Sequence, residues 1–162
     1  MNTDRIEKKI HLRASPQRVW QAVADSTEFG RWFGMKLDGD FVPGTTVRGV
    51  IVPTTVDPVV AESQQEYDGL TVEILVEQME PEQLFSFRWH PYAVERDVDY
   101  SAEPTTLVAF TLEETADGVV LTVTESGFDT IPLARRAKAF AANDEGWAAQ
   151  MKLIEEHLVH AP

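Results

Sequence analysis

The chain has no cysteine among its 162 residues, which excludes disulfides, thiolate nucleophiles and cysteine-ligated zinc. Basic charge is scarce: 14 Lys and Arg face 27 Asp and Glu, a formal net charge of −13. Such a surface repels phosphate backbones and anionic headgroups, which disfavours nucleic-acid binding and peripheral membrane attachment. Solubility is its simplest consequence. No apolar run approaches the roughly 18 residues that a spanning helix requires. Met1 to Leu12 alternates charged and apolar residues and contains nothing like the apolar centre of a secretory signal. The expectation is a cytoplasmic protein without membrane insertion.

Catalytic motifs are missing too. There is no glycine-rich phosphate loop, and Ser126-Gly127 lacks the glycine two positions upstream that a nucleophile elbow needs. Strand parity offers no serine a partnering base. His11 and His90 fall on the outward parity of their strands. His157 and His160, three apart with Glu156 nearby, are expected on a solvated terminus, a weak basis for a metal site. No catalytic residue, metal ligand or cofactor is therefore expected.

What is present suits one ordinary globular domain over residues 1–162, with 43% hydrophobic and 25% charged residues. Residues 5–13 read as an edge-type strand. Ser15-Pro16 supplies a cap and a first-turn proline for a short helix carrying Val19, Trp20 and Val23. Thr27 is expected to cap a second short helix with Phe29, Trp32 and Phe33, ending at Gly34. Strands are expected at 35–37 and 45–52, then a long loop over 53–69. Alternation predicts strands at 70–79 (Val72, Ile74 and Val76 on one face) and 84–90 (Phe85, Phe87 and Trp89 on one face). A polar loop follows over 91–104. Two more strands, 106–114 with Val108, Phe110 and Leu112 inward and 119–126 with Leu121 and Val123 inward, flank Asp117-Gly118, a hairpin signal. From Leu133 to about His160 apolar residues recur at spacings of three and four, which predicts one long helix. Asp144 is the polar member of its stripe, and Asn143 can instead cap a fresh helix after a break at Ala142-Asn143.

One strand, two helices, about six antiparallel strands and a closing helix make an α+β arrangement. A bent sheet gripping one long helix leaves space at one end, and such spaces bind apolar ligands when lined with aromatics. Four segments in order carry a family resemblance. They are Ser15-Pro16-Gln17-Arg18-Val19-Trp20 with Arg31-Trp32-Phe33, then Pro81 to Trp89, then Thr122 to Phe128 ending in Gly-Phe, and finally Glu145-Gly146-Trp147 opening into Met151 and Leu158. Together they resemble the SRPBCC (START/Bet v 1-like) superfamily, and within it the group related to the C-terminal domain of the Hsp90 ATPase activator Aha1. The resemblance implies a helix-grip: a curved seven-stranded antiparallel sheet around the C-terminal helix. It also implies a broad range of roles, from carrying lipids or aromatic metabolites to cyclising polyketides or binding a chaperone. The segment from Pro53 to Asp68 departs from the family pattern. A lipocalin also pairs a barrel with a terminal helix, but it opens with a Gly-x-Trp motif rather than strand then helices.

The candidate ligand-binding residues are Trp32, Phe33, Phe85, Phe87, Trp89, Phe110, Trp147 and Met151 as cavity walls, with Glu125 and Asp144 as polar handles. Each aromatic can equally be ordinary core, and Trp32 and Phe33 can gate the mouth or cap the core. Glu125 continues the inward parity of Leu121 and Val123. It then either lies inside, able to orient a polar group or move a proton, or reaches water because the strand twists; base rates for buried glutamate weigh toward the second. If Asp144 also points inward, the two carboxylates can form an acid/base pair. The reading is a module binding a small apolar molecule, a lipid or aromatic metabolite. The alternatives are an Hsp90-activator-like protein-interaction module and a polyketide aromatase/cyclase-like enzyme.

Overall fold

Parity along the last strand sets the centre of the architecture. The computed structural model describes residues 4–161; the reading of Met1 to Leu12 therefore falls in part outside the described residues. In β7 (Gly118–Ser126) every second residue, Val119, Leu121, Val123 and Glu125, is buried. β7 lies between β1 (Arg5–Leu12) and β6 (Thr106–Thr115). The sheet continues through β5 (Leu84–Trp89), β4 (Thr71–Glu80), β3 (Thr46–Ile51) and β2 (Met35–Leu37) in the order β1-β7-β6-β5-β4-β3-β2, antiparallel throughout. The expected edge position of β1 is observed. The long helix α4 (Leu133–His160) packs Trp147, Met151, Ile154 and Leu158 into one core with Phe85, Phe87 and Phe110 of the sheet. This is the helix-grip. Among the described residues no helix is long and apolar enough to cross a membrane.

The short helices form for local reasons. Ser15 accepts from the backbone N–H of Arg18 at 3.1 Å and Pro16 opens α1 (Pro16–Ala24). α2 (Ser26–Phe33) is capped by Asp25, which accepts from Glu28 N at 3.0 Å. The expected cap, Thr27, lies inside the helix. Gly34 ends α2 with φ of 98°, a left-handed conformation that glycine adopts without strain.

Three details differ from the sequence reading, and a fourth decides between its alternatives. The 53–69 loop contains α3 (Pro58–Gln64) and a single 3-10 turn at Gln65–Tyr67. Asp57 caps α3 by accepting from Val59 N at 2.8 Å, but none of its residues is buried, so no apolar stripe marks it in the sequence. The β6–β7 turn centres on Ala116-Asp117, with Gly118 already paired to Thr115. A Cβ at Gly118 would sit 2.1 Å from the carbonyl oxygen of Leu12, so the close approach of β1 requires glycine there. In β4 the register shifts between Val76, opposite Phe87, and Gln78, opposite Ser86. That bulge brings Met79 opposite Phe85. Finally, α4 runs unbroken through Ala142-Asn143.

Candidate functional site

Glu125 is completely buried. The strand does not twist it into water. β7 keeps its alternation to the last residue, with Glu125 flanked by Ile6 of β1 and Val108 of β6. Four side chains from three other elements take the place of solvent. Trp89, at the end of β5, donates Nε1–H to Oε2 at 2.8 Å, and Trp147 of α4 donates Nε1–H to Oε1 at 2.8 Å. The Thr106 hydroxyl, at the start of β6, donates to Oε2 at 2.5 Å. Asn143 Nδ2 spans both oxygens at 2.9 and 3.1 Å. Asn143 and Trp147 are four apart on α4, one helical turn, so both reach the same carboxylate. A carboxylate offers about four lone-pair sites, and these donors fill them. Burial without such partners would carry a large desolvation cost.

Beside this cage opens a cavity of about 850 Å³. Its inner end is aromatic. Trp89 and Trp147 stack with ring centroids 5.7 Å apart and planes 28° apart, and Phe33 lies 6.0 and 5.8 Å from them. Both indole N–H groups are bonded to Glu125, so what these residues contribute to the lining is ring surface. The walls come from α3 and its 3-10 turn, from Leu70 to Glu73, from the connection after β5 and from the 142–150 stretch of α4.

Two segments meet over the space. Arg96 donates to the carbonyl oxygens of Glu66 and Asp68, each at 3.0 Å, tying the 91–104 connection to the turn after α3. Tyr67 also joins them. Burial first, and then its hydrogen bond to Tyr92, pushes the Tyr67 phenol up to about 12, so it stays protonated. Tyr92 holds a left-handed φ of 49°, unusual for a bulky residue, where the connection turns over the cavity. At the mouth the backbone N–H of Ser101, 2.9 Å from Asp99 Oδ1, holds that carboxyl below its ordinary range.

Of the residues singled out in the sequence, Phe33, Trp89 and Trp147 line the cavity. Trp32, Phe85, Phe87, Phe110 and Met151 do not; they are buried in the core beneath it. Trp32 donates its indole N–H to the Ala22 carbonyl at 2.9 Å, pinning α2 to α1 rather than gating a mouth. Asp144 turns away from the cavity and pairs with Lys8 of β1 at 3.0 Å, so no Glu125–Asp144 dyad exists. His157 is a further correction: it is buried, with Nε2 2.8 Å from Glu28 Oε1. Arg18 Nη2 reaches the same oxygen at 2.5 Å and also donates to the Ala161 carbonyl, so the end of α4 is anchored to α1 and α2. No pattern in the sequence points to Thr106, Tyr67, Tyr92 or Gln150, and Asn143 reads there only as a cap. The four-residue spacing of Asn143 and Trp147 is the one signal that could have linked Asn143 to the site. Among the described residues no group of three or more His, Asp or Glu is placed to hold a metal ion.

A family model described as Activator of Hsp90 ATPase homolog 1-like protein matches residues 13–159. Several solved structures share the fold. The Mesorhizobium loti protein MLL2253 superimposes with a TM-score of 0.71 at 19% identity, covering 98% of each chain. The Aha1 dimer from Colwellia psychrerythraea gives 0.65 at 16% identity, over 94% of this chain and 93% of that one. DynU16, a protein of the dynemicin biosynthetic locus, gives 0.66 at 22% identity, over 96% of this chain and 47% of that one. At these identities the likeness is one of fold. Among curated proteins no significant match is found.

Proposed function

The chain belongs to the Activator of Hsp90 ATPase homolog 1-like family, and from that premise we propose that it binds a small, largely apolar molecule in the cavity beside Trp89 and Trp147. Family and fold support either a ligand-binding or an Hsp90-activator-like module. One observation favours the first. Two large indoles in the lining have their polar ends bonded to a buried carboxylate, and the ring of Trp89, stacked on the almost fully buried Trp147, stays only half-buried where it borders open volume. A ligand covering that ring gains roughly 25 cal/mol for each Å² of apolar surface removed from water. Asn143 and Gln150, also in the lining, supply polar groups that orient it.

The aromatase/cyclase-like alternative needs an ionisable side chain free to exchange a proton inside the cavity. Glu125 is the buried carboxylate nearest to that role, but its oxygens are occupied by four donors. The reading as a binding module therefore stands ahead of an enzymatic one.

The test is native mass spectrometry of the purified protein, with solvent extraction and identification of any co-purified molecule. Ala149 lines the cavity and is not one of the Glu125 donors, so Ala149→Trp adds bulk there without removing a donor. The expected result is a stoichiometric apolar adduct in the native protein, absent from A149W at unchanged melting temperature. A clean apo mass, together with no change in tryptophan fluorescence on titration with 2-naphthol, would reject the cavity reading. The protein-interaction module would then come first. Charge reversal in the 95–99 stretch cannot separate the two, because Glu95, Arg96 and Asp99 themselves border the cavity.

A further inference from the structure

Granting the binding reading above, the charge of the lining narrows the ligand class. We infer that the cavity takes an organic cation, a planar apolar body carrying a protonated amine, rather than a fatty acid or another anionic amphiphile.

The first observation is the rim. Glu66, Glu73, Glu95, Asp99 and Glu145 all border the cavity, whereas Arg96 is the one Lys or Arg in its lining. Arg96 is occupied by the two backbone carbonyls it bridges. Asp99 is held ionised by the Ser101 N–H, and the Tyr67 phenol stays neutral. His90, also in the lining, places Nε2 3.0 Å from the Glu103 carbonyl, a contact that requires a proton on that nitrogen and leaves it directed at the backbone.

The second observation is independent of those acids. At the inner end the half-buried Trp89 contributes indole ring surface to the lining, backed by the stacked and almost fully buried Trp147, while the N–H edges of both are used by Glu125. An indole face carries the negative part of the ring quadrupole and attracts ammonium groups. Two tyrosines in the lining already have cations against their rings. Arg135 lies 4.8 Å over the Tyr100 ring and Lys138 lies 6.0 Å from the Tyr92 ring centroid. Arg135 is itself neutralised by Glu103 at 2.7 Å. Floor and rim thus favour the same sign of charge, and a carboxylate entering this space would meet five like charges and no free guanidinium.

Three probes of matched shape test this: 2-naphthylmethylamine as the cation, 2-naphthalenemethanol as the neutral body and 2-naphthoate as the anion. Each is titrated into the full chain, with affinity read by calorimetry and by tryptophan fluorescence. The amine is expected to bind about tenfold more tightly than the alcohol, with the carboxylate weakest. Added salt should shrink the gap, because the rim acids are exposed. The bulk charge of −13 favours any cation, so the control is positional. The Glu73→Gln/Glu145→Gln variant should lose most of the preference, and the Glu113→Gln/Glu114→Gln variant, equal in charge but outside the cavity lining, should keep it. Equal or tighter binding of the alcohol or carboxylate would overturn the charge inference while leaving the cavity reading intact. Equal loss in both double variants would also overturn it, assigning the preference to net charge. Failure of all three probes would reject the cavity reading and this inference with it.

Discussion

Glu125 shows what a single residue can reveal and conceal in a sequence. Its inward parity was legible, because Leu121, Val123 and Glu125 are spaced by two along one strand. Base rates for glutamate pointed the other way, and the structure sides with parity. The cause is the company it keeps: Trp89, Thr106, Asn143 and Trp147 come from three elements scattered over nearly sixty positions, and no local pattern announces that they converge. The burial of His157 is hidden for the same reason, since its partner Glu28 belongs to the other end of the chain. The cage makes a sharp prediction. Glu125→Gln keeps size and shape but replaces one acceptor oxygen by an NH2 group, which turns donors against donors in a fully buried site. Urea unfolding followed by tryptophan fluorescence should show a loss of about 3 kcal/mol, the cost of leaving buried donors unmet. A loss well under about 1 kcal/mol would mean that the amide is accommodated and that the carboxylate is not what holds the two indoles.

At the scale of elements the sequence was most readable where one face is apolar. All seven strands and the helices α1, α2 and α4 carry that signature, and their expected bounds lie within a residue or two of the observed ones. α3 does not. Asp57-Pro58 repeats the cap-and-proline signal of Ser15-Pro16, but with no buried residue to follow it the segment looks like a loop. Glycine placement is equally context-bound, and two helical glycines give predictions of opposite sign. In α2, a Cβ at Gly30 would lie 2.1 Å from the backbone oxygen of Met35, where β2 begins directly against the helix. Gly30→Ala therefore sets a clash with rigid backbone against the roughly 1 kcal/mol that alanine gains in a helix interior. A net destabilisation of about 2 kcal/mol is expected, as for overpacking. In α4, a Cβ at Gly146 meets nothing within 4 Å, so Gly146→Ala should stabilise by up to about 1 kcal/mol. Paired urea midpoints check both, and a stabilised G30A would show that α2 and β2 can move apart without cost.

Over the whole molecule the dominant fact is the imbalance of 27 acidic against 14 basic residues. Some of the basic residues are used locally. Lys8 ties Asp144 on the outside of α4, Arg135 holds Glu103 beside the 91–104 connection, and Arg18 closes the end of α4 together with Glu28 and His157. What remains on the surface is mostly acidic, so at low ionic strength the folded chain concentrates like charges that the unfolded chain spreads apart. Salt acts unequally on these terms. It screens exposed charges beyond a Debye length of about 10 Å at 0.1 M, yet barely reaches buried groups such as the Glu28 cluster. Raising NaCl from about 20 mM to about 300 mM should therefore increase unfolding free energy, on the order of 1 kcal/mol, by weakening repulsion more than attraction. Urea titrations at the two salt concentrations measure it. A fall in stability instead would mean that the exposed pairs, Lys8–Asp144 and Arg88–Glu77 among them, outweigh the net repulsion. The same screening acts on the acidic rim of the cavity. Salt is therefore expected to make the protein more stable and its mouth less attractive to a cation, two opposite responses to one field.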